Sequence, residues 1–311
     1  DWCITCKEME RKTFADPRVQ QALAGWTLLR ADVTANAADD KALLARFSLY
    51  GPPGIIFFDK TGQENTTTRV VGFQKADEFL ATLADAGIRI SCVFAGFEGE
   101  SYADIPTVAQ TVGLVPAATR AARTTELLEI ADFAKLLGVD VVGVHVGFVP
   151  HDAACDDYAA IVAVIRRVCD HLKQQGQALH LETGQEPADI LLGFLKTVDR
   201  DNLFINFDPA NMILYGCGEP LPALRTLGAY VRSIHCKDAT WSEQPGKTWG
   251  QEVPLGQGAV DFPAYLRTLK EIGYAGPLTI EREIPQEPVR QKAEIAAAVA
   301  LLTKLREEIQ G

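Results

Sequence analysis

Four apolar runs in the sequence each end in a side chain that can bind a cation: Glu182, Asp208, His235 and Glu281. An apolar strand has little reason to finish in a charged residue unless that charge is paired or bound to a metal. Three carboxylates and one imidazole suit a hard or borderline divalent ion, whereas zinc prefers more nitrogen or sulfur ligands. We therefore expect a divalent metal site, with Mn²⁺ or Mg²⁺ favoured and Co²⁺ or Zn²⁺ as alternatives.

Other polar residues lie beside these candidate ligands or at the end of an earlier run. Lys237 and Arg282 sit next to ligand candidates and would neutralise or orient a substrate, and structural salt bridges are an equal alternative for both. His145 ends an earlier apolar run, so it either touches the substrate or belongs to the core. His151 and His171 are expected on the surface.

A second kind of chemistry is indicated by two cysteines near the start of the chain. Cys3 and Cys6 form a C-x-x-C motif preceded by Trp2. A helix that begins at Cys3 would lower the pKa of this thiol through the helix dipole, and Cys6, one turn later, would resolve a mixed disulfide. The five other cysteines are scattered among apolar residues, which favours buried small side chains over a disulfide framework.

The first part of the chain alternates short helical and extended patterns. A Gly-Pro-Pro-Gly segment that contains Pro53 precedes an apolar strand, and a proline there can be cis and lie beside the thiol pair. The pattern predicts helices over residues 4–14, 37–47 and 75–84, an extended run over 26–33, and strands over 55–59 and 69–72.

The rest of the chain repeats strand and helix, which is typical of parallel sheets with right-handed crossovers. The expected strands cover residues 88–95, 140–146, 178–182, 203–208, 231–236 and 277–281, with helices over 117–137, 158–174 and 263–272. A closed (β/α)8 barrel needs eight strands, so about six βα units are represented. In such a barrel the carboxyl ends of the strands converge, which would bring the four candidate ligands together.

The fold class expected is α/β, with a partial thioredoxin-like fold over residues 1–85 followed by a TIM-type barrel over residues 86–311. The chain begins with Asp1 rather than Met, and the count of six strands predicts that the barrel lacks about two units at its front. The two are expected to join through a helix near residues 78–86, since no Gly, Ser or Pro linker separates them.

Charge and hydropathy exclude two classes of partner. A net charge of −11 argues against a nucleic-acid partner, which requires clustered Lys and Arg. No apolar run approaches the ~18 residues of a membrane span, so no membrane segment is expected.

Residues 1–85 resemble the C-terminal thioredoxin-like domain of the DsbD family of bacterial thiol:disulfide interchange proteins. The resemblance depends on the stretches DWCITCKEME, TFADPRVQQAL, DVTAN and GPPGIIFFDKTGQE. It implies Cys3 as nucleophile, Cys6 as resolving thiol, Pro53 as the cis-proline, an exchange partner protein and a periplasmic location. The strand, helix and central strand that open the family fold are expected to be absent.

The remainder, from about residue 84, resembles the xylose-isomerase-like barrel family of sugar phosphate isomerases and epimerases. The resemblance depends on HLETGQE, FDPANMILYG, SIHCKDATW, PLGQGAVDF and GPLTIEREI. It implies metal binding by Glu182, Asp208, His235 and Glu281, and substrate contact at Asn211, where many relatives carry a histidine. It also implies a sugar or sugar phosphate as substrate and a cytoplasmic location.

The expected reaction is isomerisation or epimerisation through an enediolate, with the two glutamates as the acid/base pair. Two alternatives are a thiol:disulfide oxidoreductase that uses Cys3 and Cys6, and an inactive chimera in which neither half completes its fold. An endonuclease-type barrel with several zinc ions would need more histidines and less negative charge than this chain has.

Overall fold

The chain divides into two compact units, Asp1–Val93 and Phe94–Gly311. The structure, a computed structural model, describes residues 4–23, 26, 28, 29, 31, 33, 37–47, 49, 53–59, 62–85, 90–284 and 287–310. The predicted boundary after residue 85 falls inside the first unit, and it stays a proposal. Cys3 lies outside the described residues, and so do residues 27, 30 and 32 of the predicted run 26–33.

In its described residues, the first unit contains four helices and an antiparallel pair of strands. Its elements are α1 (Ile4–Lys12), α2 (Pro17–Ala22), α3 (Ala38–Arg46), β1 (Gly54–Phe58), β2 (Glu64–Val71) and α4 (Ala76–Asp85). The start of α2 follows from local chemistry: Asp16 caps it by accepting the Arg18 backbone N–H, and Pro17 occupies the first turn. The predicted helices at 4–14, 37–47 and 75–84 are thereby confirmed.

Aromatic side chains form the core of the first unit. Phe79 of α4 is 1% exposed, and its ring lies 5.6 Å from that of Phe14 and 6.4 Å from that of Phe57 on β1. Met9 and Val19 complete the core from α1 and α2, which buries one face of each helix. The carbonyl of Pro53, which directly precedes β1, accepts the backbone N–H of Gly72. Of the two cysteines in the C-x-x-C motif, Cys6 lies in α1.

The second unit is built on a six-stranded sheet in which neighbouring strands follow one another in the chain. The sheet order is β10-β7-β6-β5-β4-β3. Its strands are β3 (Val93–Ala95), β4 (Val141–Val144), β5 (Ala178–Glu182), β6 (Leu203–Phe207), β7 (Val231–Cys236) and β10 (Thr279–Ile280). The strand pairs β4–β5, β5–β6, β6–β7 and β7–β10 are all parallel. This confirms the predicted barrel-type sheet and its six strands.

Helices alternate with the strands in the order expected of repeated βα units. They are α5 (Ile105–Thr111), α6 (Ala117–Leu136), α7 (Asp156–Gln174), α8 (Ala188–Val198), α9 (Pro209–Tyr215), α10 (Pro220–Leu227), α11 (Phe262–Glu271) and α12 (Pro288–Gln310). In α7 the buried residues Ile161, Ile165, Val168 and Leu172 recur at helical spacing, so one stripe faces the sheet. Among the described residues, no helix is both long enough and apolar enough to cross a membrane.

The hairpin in the loop after β7 was not predicted from the sequence. The loop after β7, rich in Gly, Pro and Trp, contains the antiparallel pair β8 (Asp238–Thr240) and β9 (Gln251–Val253). The Asp238 carboxylate stabilises its base by accepting the backbone N–H groups of Ala239, Gly256, Gly258 and Val260 at 2.8–3.1 Å. At Gly258 an added Cβ would lie 2.2 Å from Asp238 Oδ1, so this position requires glycine.

Candidate metal and proton-transfer site

Four side chains from four strand ends meet at one point of the second unit. One ligand atom from each of Glu182, Asp208, His235 and Glu281 can be chosen so that all four lie within 4.8 Å of one another. Glu182 ends β5, Asp208 follows β6, His235 lies near the end of β7, and Glu281 follows β10. The sheet topology therefore produces the convergence that the strand-end positions predicted.

Asp208 owes its orientation to two local features. Its Oδ1 atom caps α9 by accepting the backbone N–H groups of Ala210 and Asn211 at 2.8 and 2.9 Å. Its backbone N–H donates to Thr183 Oγ1 at 2.8 Å, and the Thr183 hydroxyl donates back to the Asp208 carbonyl at 3.0 Å. These bonds tie the ends of β5 and β6 together and leave Oδ2 of the aspartate for the cluster.

His235 lies among the three carboxylates. Its Nδ1 atom is 2.7 Å from Glu182 Oε1, 2.9 Å from Glu281 Oε2 and 3.4 Å from Asp208 Oδ2. Burial by itself would lower the pKa of His235, but the negative charges of Glu182 and Glu281 raise it well above its ordinary value. The cluster thus carries a concentrated negative charge that favours a cation at this point.

The donor set fits a divalent cation. Oε1 of Glu182 and Oδ2 of Asp208 are buried and accept no hydrogen bond among the described residues, although the His235 ring lies beside both. Buried carboxylate oxygens without donors are costly unless a positive charge compensates them. Three carboxylate oxygens and one imidazole nitrogen form a ligand set that suits a divalent metal ion.

Lys237 brings a positive charge to the edge of the cluster. Its side chain is 3% exposed, and Nζ lies 2.7 Å from Glu283 Oε2 and 3.2 Å from Glu281 Oε2. Nζ also donates to Asn211 Oδ1 at 3.4 Å, so Lys237 and Asn211, two of the four predicted substrate contacts, lie at the edge of the cluster. Burial opposes the charge, but Glu281 and Asp208 raise the pKa of Lys237 well above its ordinary value, so the amine stays protonated.

His145 also belongs to the site rather than to the apolar core. Its Nε2 atom lies 2.9 Å from Glu182 Oε2, and its buried Nδ1 atom has no hydrogen-bond partner among the described residues. The rings of Phe94 and Tyr102 lie 5.5 and 6.1 Å from the imidazole. The imidazole thus lies beside a carboxylate and two aromatic rings, and its contact with a substrate stays a prediction.

Arg282 is not brought into the cluster. Its Nη1 atom donates to Glu252 Oε1 at 2.7 Å and its Nε atom to Glu294 Oε2 at 2.6 Å. The guanidinium is 7% exposed and occupied by these two carboxylates. The contacts favour the structural salt bridge that the sequence left as the alternative to substrate binding.

Glu186 is a buried acid that sequence reasoning did not single out, although it lies in the HLETGQE stretch. It is 2% exposed, its Oε1 atom accepts the Val149 backbone N–H at 2.7 Å, and its Oε2 atom has no partner among the described residues. Burial raises its pKa to about 8. The neighbouring Gln185 is equally buried and donates to the Tyr215 hydroxyl at 3.4 Å. The signal that could have found Glu186 is its position in the short loop that follows the strand-end Glu182 at the carboxyl end of β5.

This raised pKa gives a pH-dependent stability that a Glu186→Gln variant should lack. The folded pKa lies above the ordinary value of 4.5, so between these values the folded chain binds more protons than the unfolded chain and stability falls as pH rises. The variant minus wild-type difference in unfolding free energy should therefore grow by at least ~1 kcal/mol between pH 5.5 and 8. Urea unfolding at the two pH values measures this difference. If the unfolding free energies of the two proteins change equally with pH, the raised pKa of Glu186 is contradicted.

Two family models match the chain. The model of the xylose isomerase-like TIM barrel matches residues 51–305, and that of a thioredoxin-like domain matches residues 1–87. The thiol:disulfide interchange protein DsbD of Ralstonia nicotianae is 62% identical over 86 residues, which are 28% of this chain and 14% of that protein. The chain thus spans about a seventh of the length of this curated relative.

Solved structures resemble about three quarters of the chain. A xylose isomerase domain protein from Planctomyces limnophilus is 57% identical, with a TM-score of 0.73, and the match covers 75% of this chain and 83% of that one. A xylose isomerase-like TIM barrel protein from Mycobacterium smegmatis in complex with magnesium is 22% identical (TM-score 0.54, coverage 74% and 78%). A D-tagatose 3-epimerase-like protein is 20% identical (TM-score 0.56, coverage 76% and 84%). The last two share the fold.

Proposed function

Because the chain belongs to the xylose isomerase-like TIM barrel family, we propose that it is a divalent-metal-dependent sugar isomerase or epimerase. The observation that carries the proposal is the convergence of three carboxylates and one imidazole within 4.8 Å. The named solved neighbours, a magnesium complex and an epimerase-like protein, agree with this chemistry. The substrate proposed is a small sugar or sugar phosphate.

Glu182 and Glu281 are proposed as the proton carriers. They come from separate strands, β5 and β10, and their carboxylates approach His235 Nδ1 to 2.7 and 2.9 Å. One glutamate removes the proton from the carbon beside the substrate carbonyl. The other returns a proton to the opposite face of that carbon in an epimerisation, or the proton goes to the neighbouring carbon in an isomerisation.

The side chains of the site are also proposed to bind the cation, to compensate charge and to orient the substrate. Glu182, Asp208, His235 and Glu281 would hold the cation, which would polarise the substrate carbonyl and so acidify the hydrogen on the adjacent carbon. Lys237 offsets part of the negative charge beside Glu281, and Asn211 lies 3.4 Å from its amine. His145 offers its free Nδ1 atom to a substrate hydroxyl.

The proposal is tested by exchange of carbon-bound hydrogen with deuterated water. The purified chain, loaded with Mn²⁺ or Mg²⁺, is incubated with a panel of ketohexoses, ketopentoses and their phosphates. Deuterium should enter one sugar at the carbon beside its carbonyl, and a chelator should abolish the incorporation. Because exchange reports proton abstraction even where net conversion is slow, absence of exchange on the whole panel would reject the proposal and favour the inactive chimera.

A second candidate function is thiol–disulfide exchange through Cys3 and Cys6 with a partner protein. It is supported by the 86 residues shared with DsbD, which contain the C-x-x-C motif. Thiol titration combined with insulin reduction separates this activity from the sugar chemistry. The two candidates imply different compartments, periplasmic for the thioredoxin-like part and cytoplasmic for the barrel.

A further inference from the structure

Glu281 follows a very short strand at the edge of the sheet. Strand β10 has two residues and pairs with β7 through Thr279 and Ile280. The Glu281 amide donates to the Cys236 carbonyl at 3.2 Å. Edge segments with few ladder bonds open at a low free-energy cost, so a carboxylate that must hold a fixed position here requires support from outside the sheet.

Glu252 of β9 provides such support. Its Oε1 atom accepts the Glu283 backbone N–H at 3.0 Å and the Arg282 Nη1–H at 2.7 Å. One carboxylate oxygen therefore binds both the backbone and a side chain of the segment directly after Glu281. The Arg282 and Glu252 side chains are 7% and 13% exposed, so solvent screens this pair far less than a surface salt bridge.

Arg282 extends the contact to the C-terminal helix. Its Nε atom donates to Glu294 Oε2 at 2.6 Å, and Glu294 also accepts from Arg290 at 2.7 Å. The guanidinium is thus held between a carboxylate of β9 and one of α12. Its planar, rigid arrangement of donors restricts rotation more than a lysine amine would.

The hairpin that carries Glu252 is itself anchored to the strand of another candidate ligand. Strand β8 begins at Asp238, three residues after His235, and Ala239 of β8 is the register partner of Glu252. The four backbone bonds to the Asp238 carboxylate fix the base of this hairpin. Glu252 therefore connects the chain that presents His235 to the chain that presents Glu281.

We propose that Glu252 and Arg282 are positioning residues, which hold residues 281–283 so that the Glu281 carboxylate stays within the ligand cluster. The proposal rests on the proposed function in one respect: it takes Glu281 as a ligand and proton carrier. Neither residue contacts the substrate in this scheme. Both act through the backbone that bears Glu281.

The test compares Glu252→Ala, Glu252→Gln and Arg282→Ala with the parent chain. Amide hydrogen–deuterium exchange of residues 279–284, read by mass spectrometry, should accelerate about tenfold in both alanine variants. Their affinity for Mn²⁺ should fall about tenfold, and kcat should fall by more than KM changes. Glu252→Gln should give amide exchange and Mn²⁺ affinity between those of the parent chain and Glu252→Ala. Its amide oxygen still accepts the Glu283 N–H, but it carries no charge to pair with Arg282.

Asp170→Ala is the matched control, since it removes an ion pair to Arg200 of 2.6 Å that lies outside the site. This control should change neither amide exchange over residues 279–284 nor Mn²⁺ affinity.

Parental amide exchange in Glu252→Ala and Arg282→Ala would overturn the proposal, and if either fails to fold, Glu252→Gln gives the same decision. A parent chain that binds no Mn²⁺ would reject the proposed function instead, while the amide exchange still decides the positioning role.

Discussion

Glu182→Gln and Glu281→Gln should each lower sugar hydrogen exchange by ~10²–10⁴-fold, the usual contribution of a general acid or base. A neutral amide still offers an oxygen to a cation but cannot accept the substrate proton. Turnover should therefore fall by a larger factor than metal affinity. The measurement pairs deuterium incorporation into the substrate with Mn²⁺ titration of the same protein sample.

The matched control for this pair is Glu129→Gln. Glu129 lies exposed on α6, so the same chemical change is made in the same unit without touching the cluster. The control should keep parental exchange and metal affinity. Parental exchange in both site variants would remove the two glutamates from the mechanism, whereas equal losses of turnover and metal affinity would restrict them to metal binding.

The strand-end ligands could be predicted because two regularities combine at each of them. Glu182 ends a buried apolar run, and parallel strands place all such ends at one edge of a sheet. An aspartate followed by a proline, as at Asp208 and Pro209, is also typical of a helix N-terminus. In the structure Asp208 caps α9, and this contact orients its carboxylate. Local pattern and topology agree here, so the sequence contained enough information to place the cluster.

Arg282 shows what the sequence could not decide. Its position next to Glu281 is compatible with substrate binding and with a salt bridge, and the choice depends on Glu252 and Glu294, which lie 30 and 12 residues away. Glu252 lies on a strand of three residues within a loop rich in turn formers, so no periodicity marked it. Contacts between distant loop residues depend on tertiary packing, which single-sequence patterns do not encode.

Glu186 was missed for a related reason. A glutamate in a short loop between a strand and a helix is typical of a solvated residue, and its burial depends on the Val149 segment after β4 folding over it. His145 was left open because a histidine at the end of an apolar run is compatible with both core and site. The structure places it 2.9 Å from Glu182.

Replacement of a candidate ligand should remove metal binding. The parent chain should bind about one Mn²⁺ or Mg²⁺, and His235→Ala and Asp208→Asn should each weaken it at least ~10-fold, since even losses of supporting residues around a metal cost 10–100-fold. Asparagine is chosen at residue 208 because it can still cap α9 at Ala210 and Asn211 while the charge at the cluster is lost.

His171→Ala serves as the histidine control for this experiment. His171 pairs with Asp132 at 2.7 Å on α6 and α7, so its loss should leave the metal content unchanged. Elemental analysis after gel filtration gives the stoichiometry, and titration with Mn²⁺ gives the affinity. Unchanged metal content in both His235→Ala and Asp208→Asn would exclude the cluster as the metal site. If only His235→Ala loses metal, the negative charge of Asp208 is not needed for metal binding. The carboxylate of Asp208 would then serve mainly as the N-cap of α9.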